Sequence, residues 1–372
     1  MSFPRPNRVH FETQQGTVGD PTGYSRLPGF VVIIFLLFSC TLCQRSQAQL
    51  LHMGTEIPPE VDAIYERGLA FLARTQDPQT GSWRGRRENG VTGLCLMAFL
   101  AGGEDPNFGR YRRNVRLAIR ALIMGQDKSN GYFPNSMYHH GFALLALAEA
   151  YGAVDEATLW NGSEGLEDRR SIAEAIEQGI DLAGKAQNNN RWGGWRYSPT
   201  STDADTSVTG SVLMGLLACR NAGFNVPGDT IDKALNYMKR NTATTSGYVA
   251  YSGGLGGGTE SVNRSAVATL VYSVGQKKEW EEYEAVSNHI SERLKHRESG
   301  HRHYYIYYMA QALFQADYES WVLWNRTTAR KLASEQAQTG SFTGSYGEAY
   351  GTAMSLLALA LNYRFLPIYE RF

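Results

Sequence analysis

A helical run followed by a glutamine, a glycine and an aromatic residue recurs along this chain, and that unit limits the possible folds more than any other feature. The first copy runs from Arg67-Gly68 through Phe71-Leu72 to Gln76, then Gly81-Ser82-Trp83. The second keeps Gln126, Gly131 and Tyr132, and the third keeps Gln187 and Gly193-Gly194-Trp195. The fourth has Thr242 in the glutamine place before Gly247-Tyr248, a fifth unit has lost the pattern, and the sixth keeps Gln336, Gly340 and Phe342. Repetition at roughly 40–60 residues marks an architecture whose units bury their apolar faces against one another. Glutamine at a helix end satisfies backbone groups left without intrahelical partners. The glycine permits the turn, and the aromatic ring covers the junction.

Each unit reads as an amphipathic helix, the turn, and a second, more apolar helix. The first helices are expected at 63–74, 111–124, 171–186, 230–240, 280–295 and 321–336. The second, rich in small residues, are expected at 92–101, 139–151, 207–221, 264–274, 304–316 and 352–362. A helix apolar on all sides has to be buried, whereas an amphipathic one faces water on one side. Six buried helices inside six amphipathic ones make an all-α chain with a single (α/α)6 toroid over 60–372.

The repeated unit resembles the QW motif of the terpenoid cyclase and protein prenyltransferase superfamily, squalene cyclases above all. That resemblance implies the same toroid, built of helix-pair repeats. Asp203-Ala204-Asp205-Thr206, following Trp195-Arg196-Tyr197, is similar to the segment leading to the D-x-D-D-T motif of squalene–hopene cyclases. In that family the middle aspartate protonates an isoprenoid alkene, so the resemblance gives Asp205 that role and Asp203 the place of the first aspartate. Thr206 replaces the third aspartate, which weakens the case for a strong acid, because neighbouring carboxylates help hold one member protonated. Squalene cyclases carry two barrels, whereas this chain has room for one. The zinc-holding Asp-x-Cys of prenyltransferase β subunits and the Cys-Gly-Glu-Gln run of thioester-bearing toroids are both absent.

Aligning the second helices places Thr92, Thr209 and Thr352 together, with His140 and Arg264 in corresponding positions. Four residues earlier stand Glu88, Ser136, Asp205, Glu260 and Glu348, with Arg302 in the fifth repeat. Parallel inner helices would set these residues around one mouth of a central cavity, with Glu88, His140, Glu260 and Glu348 as ligand-binding candidates. Two readings are open for the acidic positions: helix capping, which Asp favours at the N-cap and Glu in the first turn, and a functional rim. Tyr304 and Tyr308 share a helix face by i, i+4 spacing, which suits either packing or a cavity wall that stabilises a cation. His139 and His140 point to different faces and do not share a metal. The glycine-rich stretch 246–258, with Tyr248 and Tyr251, reads as a loop over the same mouth and lacks the context of a phosphate loop.

Net charge is zero, with acidic and basic residues interspersed, which argues against a nucleic-acid partner. Residues 30–38 form an apolar run with the length of a signal-peptide core, and Ser46-Gln47-Ala48 supplies a cleavage site. Residues 1–48 therefore read as an export segment of an extracytoplasmic protein. Retention as a membrane anchor and lipidation at Cys40 stay open. Cys95 and Cys219 lie inside apolar helices and read as buried structural residues. No metal or cofactor is expected. The expectation is an exported repeat protein that holds an extended ligand (lipid-like, peptide-like or glycan) in its cavity without catalysis. Its rivals are a terpene-cyclase-type enzyme using Asp205 and a carbohydrate-active (α/α)6 enzyme, which would pair carboxylates across the cavity.

Overall fold

A computed structural model describes residues 57–83, 88–162, 168–255, 260–298 and 300–370. The expected export segment at 1–48 lies outside the described residues. From Ile57 onward the chain is one compact unit. The outer helices are α1 (Pro59–Thr75), α3 (Arg112–Gly125), α6 (Ile172–Gln187), α8 (Gly228–Arg240), α10 (Glu281–Ser291) and α12 (Tyr318–Glu335). The inner ones are α2 (Asn89–Ala101), α4 (Met137–Ala150), α7 (Thr206–Asn221), α9 (Val262–Val274), α11 (Arg302–Ala316) and α13 (Glu348–Leu359), and a four-residue α5 (Glu156–Leu159) precedes α6. The described residues contain no strand, only an isolated bridge between Thr242 and Val249.

Local chemistry sets the helix ends. Proline at the first position of α1 starts that helix four residues ahead of the expected boundary, because proline's missing N–H is an orphan there anyway. Ser171 and Glu174 form a reciprocal capping box on α6. The outer helices bury one face, whereas all thirteen residues of α2 are buried. Each inner helix packs between two others in the order α2, α4, α7, α9, α11, α13 and back to α2, which closes a ring. Small residues set its tightness: a Cβ on Gly141 of α4 would sit 2.6 Å from the Ser211 carbonyl of α7. The fold is an (α/α)6 toroid.

The glutamine turn ties each repeat to the next. Gln76 Nε2 donates to Gly81 O within its own turn and to Asn114 O on the following outer helix. Gln126 does the same with Gly131 and Ala175, and Gln187 with Gly193 and Thr230. Gln336 donates to Gly340 and to Ile64 O, joining the sixth repeat to the first. Gly340 has φ +85°, and a Cβ there would lie 2.3 Å from Arg67 O, so only glycine lets the turn reach α1. In the fourth repeat, where threonine replaces glutamine, the tie is made from the other side by His289 Nδ1–H to Ser246 O at 2.8 Å.

The buried aromatic sits two residues after the glycine, which corrects two sequence assignments. Phe133 rather than Tyr132, and Val249 rather than Tyr248, fill the junction. The inner-helix residues aligned above hold that junction: Thr209 Oγ1 accepts from Trp195 N, Thr352 Oγ1 from Phe342 N, and His140 Nδ1 from Phe133 N. Trp83 and Trp195 also donate their indole N–H to the carbonyls of Leu72 and Ala183 on their own outer helices.

Past α13 the chain makes two short 3-10 turns that bury Leu366 and Ile368. This tail packs on the C-terminal ends of inner helices, where Gln315 Nε2 of α11 donates to Glu370 O and the Ile368 N–H donates to Glu149 of α4.

Candidate functional site: a tyrosine-lined cavity at the N-terminal mouth

The N-terminal ends of all six inner helices border one cavity of about 550 Å³, so these helices run parallel. Its wall takes Glu88 from the N-cap of α2 and Gly90 from α2 itself, Tyr138 and Phe142 from α4, Ser207 from α7, Asn263 from α9, Tyr304 from α11 and Tyr350 from α13. Tyr197, Tyr251 and Tyr346, from the turns before these helices, bring the tyrosines to six. Tyr138 and Tyr304 hydroxyls lie 3.3 Å apart. Burial holds both far above the ordinary phenol range, so they are neutral hydrogen-bonding groups. At the rim the Tyr197 and Tyr251 hydroxyls pair at 3.0 Å, and the Arg196 guanidinium lies over both rings at 5.6 and 5.3 Å. Asn135 stands at this mouth with φ +96°, a conformation unusual for a residue other than glycine, and Asn263 is 7% exposed with Oδ1 unpartnered.

The residues singled out from the sequence divide between this cavity and its surroundings. Glu88 and Tyr304 line it. Tyr308 lies one layer down, its ring 4.6 Å from that of Tyr304. His140 is fully buried and faces the outer ring, with Nε2 3.0 Å from Gly179 O, which corrects its placement at the mouth. Burial lowers its pKa to about 4 and keeps the imidazole neutral, as its acceptor role toward Phe133 requires. Glu348 turns outward to accept from Ser341 Oγ at 2.8 Å. Glu260 lies beyond the cavity wall, paired with Arg293 at 3.0 Å. Glu88, Asp205, Glu260 and Glu348 all stand at N-terminal ends of inner helices, as aligned, but the acidic rim is corrected as a cavity lining: Glu88 is the one carboxylate lining the cavity among the described residues.

Asp205 caps α7: its Oδ1 accepts from Val208 N at 2.8 Å. Its Oδ2 is buried without a hydrogen-bond partner, 3.6 Å from Arg196 Nε. Desolvation outweighs the cap bond and the guanidinium and raises its pKa to about 6. Asp203 is exposed and pairs with Arg196 at 3.3 Å. The Asp205 carboxyl lies behind the cavity wall rather than on it.

The residues missed from the sequence follow a simple phase. Gly90, Tyr138, Ser207 and Tyr350 each stand two residues before an aligned junction position. Two residues turn a helix by about 200°, so the junction position faces out where these face in. Cys95 and Cys219 are buried free thiols, and no cluster able to hold a metal occurs among the described residues.

Solved structures similar to this ring include two with different chemistries. An inactive variant of the α-1,6-mannanase GH76A of Salegentibacter sp. HEL1_6, in complex with α-1,6-mannotriose, superposes with a TM-score of 0.57 at 9% identity, covering 81% of this chain and 99% of that one. A type II terpene cyclase from Scytonema, in complex with geranylgeranyl dihydroxybenzoate, gives 0.54 at 12% identity, covering 82% and 98%. No protein-family model and no curated protein matches the chain. At such identities the likeness establishes the α/α-toroid fold alone.

Proposed function

We propose that the protein binds an extended ligand in the tyrosine-lined cavity without transforming it. The supporting observation is the wall itself: six tyrosines and one carboxylate, Glu88, among the described residues. Glycoside hydrolysis in most families needs two carboxylates flanking the bond. Acid-initiated cyclisation needs a proton donor facing the substrate, whereas Asp205 is tied to a helix cap behind the wall. Aromatic faces with neutral hydroxyls supply stacking and hydrogen bonds without acid–base chemistry. The recurring glutamine turn supports kinship with squalene-cyclase-like repeat proteins, and the apolar run at 30–38 supports a place outside the cytoplasm. N-terminal sequencing of the mature protein checks that location.

One observation favours a second reading. The Asp205 carboxyl keeps its proton up to about pH 6 and has one oxygen that accepts no hydrogen bond, as a cyclase acid would. Native mass spectrometry with geranylgeraniol and with linear manno-oligosaccharides, beside product analysis of both, separates the cases. Binding without product is expected. Cyclised product that disappears in Asp205→Asn would establish the enzyme, and saccharide cleavage would establish a glycosidase. Failure to retain either probe would remove the binding proposal.

A further inference from the structure

Five of the six repeats close the gap between their outer and inner helices with a buried side chain: Trp83, Phe133, Trp195, Val249 and Phe342. The fifth does not. Between α10 and α11 no described residue is buried, no described glycine takes a positive φ and no Phe, Trp or Tyr occurs; Leu294 is only half-buried against the core, and the His296 ring lies edge-on to Tyr305. A groove of about 1020 Å³ opens there. It shares Ser261, Asn263, Arg264 and His301 with the central cavity, so the two spaces meet at a common wall. Asn263 stands in that wall, its Oδ1 unpartnered although the residue is nine-tenths buried. A buried polar atom without a partner costs free energy unless something completes it.

With the cavity taken as the ligand site proposed above, we infer that this groove is the continuation of that site, and that the chain it receives is a polyhydroxylated one, an oligosaccharide. One end enters the tyrosine cavity, and the rest leaves sideways past Asn263 instead of through the axial mouth. The groove carries Arg293 and Lys295 together with Glu260, Glu292 and Glu298. Donors and acceptors of both signs match hydroxyl groups, which do both. An apolar isoprenoid would desolvate these charges and return no hydrogen bonds. A peptide backbone would find no strand edge to pair with, because the groove walls are helices and side chains. The same geometry explains why the fifth repeat dispenses with its turn: a plug there would close the path.

Chain-length dependence tests this. Linear manno-oligosaccharides of two to six units are titrated calorimetrically against the full protein, with geranylgeraniol as the apolar comparison. In the wild type, affinity should rise by about tenfold or more from disaccharide to hexasaccharide, a gain of about 1.4 kcal/mol. In Asn263→Leu, close in size and without the amide, that ratio should fall to about twofold or less. His301→Ala, at an exposed position shared by both spaces, should reduce the same ratio and guards against misfolding of the first variant. An affinity independent of length, or a ratio unchanged in both variants, would overturn the groove assignment. Retention of geranylgeraniol with no saccharide bound would overturn the polyol class and leave the binding proposal standing. Loss of both probes would remove that proposal too.

Discussion

Asp205 concentrates the physical chemistry of single residues in this protein. Its folded pKa, about 6, lies above the usual carboxylate value, so the folded state holds the proton more tightly than the unfolded one. Stability therefore falls as pH rises from about 4 to about 6 and is flat above, by up to about 3 kcal/mol for this group. Asp205→Asn should remove that slope and leave the protein at least as stable at pH 7.5, because asparagine caps about as well as aspartate. Asp205→Ala should cost about 0.5–2 kcal/mol relative to Asn through the lost cap. Denaturant melts of the three proteins at pH 4.5 and 7.5 check both statements. An Asn variant less stable than wild type at pH 7.5 would mean that the charged pair with Arg196 outweighs burial. The sequence showed that Asp205 begins an inner helix. It did not show which side of the wall the carboxyl occupies, because that depends on Trp195, Arg196 and Val208 meeting around it.

The turn is the decisive element, since it joins neighbouring repeats as well as the two helices of one repeat. Removing the side chain in Gln336→Ala leaves the carbonyls of Gly340 and Ile64 without that donor, at an expected cost of about 1–3 kcal/mol. Gly340→Ala should cost more than Gln336→Ala, because it adds a strained positive φ to a clash with the α1 backbone. Urea unfolding of both variants ranks them, and equal or reversed costs would show that the turn reaches α1 without needing glycine. The first copy of the pattern was legible to the residue. The partial copies misled by one position at Tyr132 and Tyr248, since adjacent residues are both aromatic or β-branched and only burial distinguishes them.

Among the described residues the ring has an open end and a covered one. The cavity occupies the N-terminal mouth of the inner helices, and the tail after α13 packs against their C-terminal ends. Truncation after Asn362 should lower stability by several kcal/mol, because Leu366 and Ile368 are each worth roughly 2–5 kcal/mol when their burial is lost. Burial raises the pKa of Glu149, which receives the Ile368 N–H, to about 8. Its proton is thus held through neutrality, and stability should fall as pH climbs from about 4 towards about 8. Glu149→Gln should flatten that part of the curve while keeping a carbonyl for the Ile368 N–H. Calorimetric melts across pH 5–9 decide it, and a wild-type curve with no decline that Glu149→Gln removes would show the carboxyl to be solvated.

Sequence alone determined the repeat, the helix pairs and the ring, because each follows from chemistry within a few residues: the apolar period, the capping residues, and the glycine of the turn. It also identified Glu88 and Tyr304, which line the cavity. Only the tertiary structure decided which face of each inner helix meets that cavity. Aligning Thr92, His140, Thr209 and Thr352 located the face that holds the turns, and the ligand-facing residues stand half a turn away. Sequence likewise registered the lost turn of the fifth repeat only as decay of a pattern. Its consequence, a groove joined to the cavity, exists because α9, α10 and α11 come together around a gap that no fully buried residue of the described connection plugs.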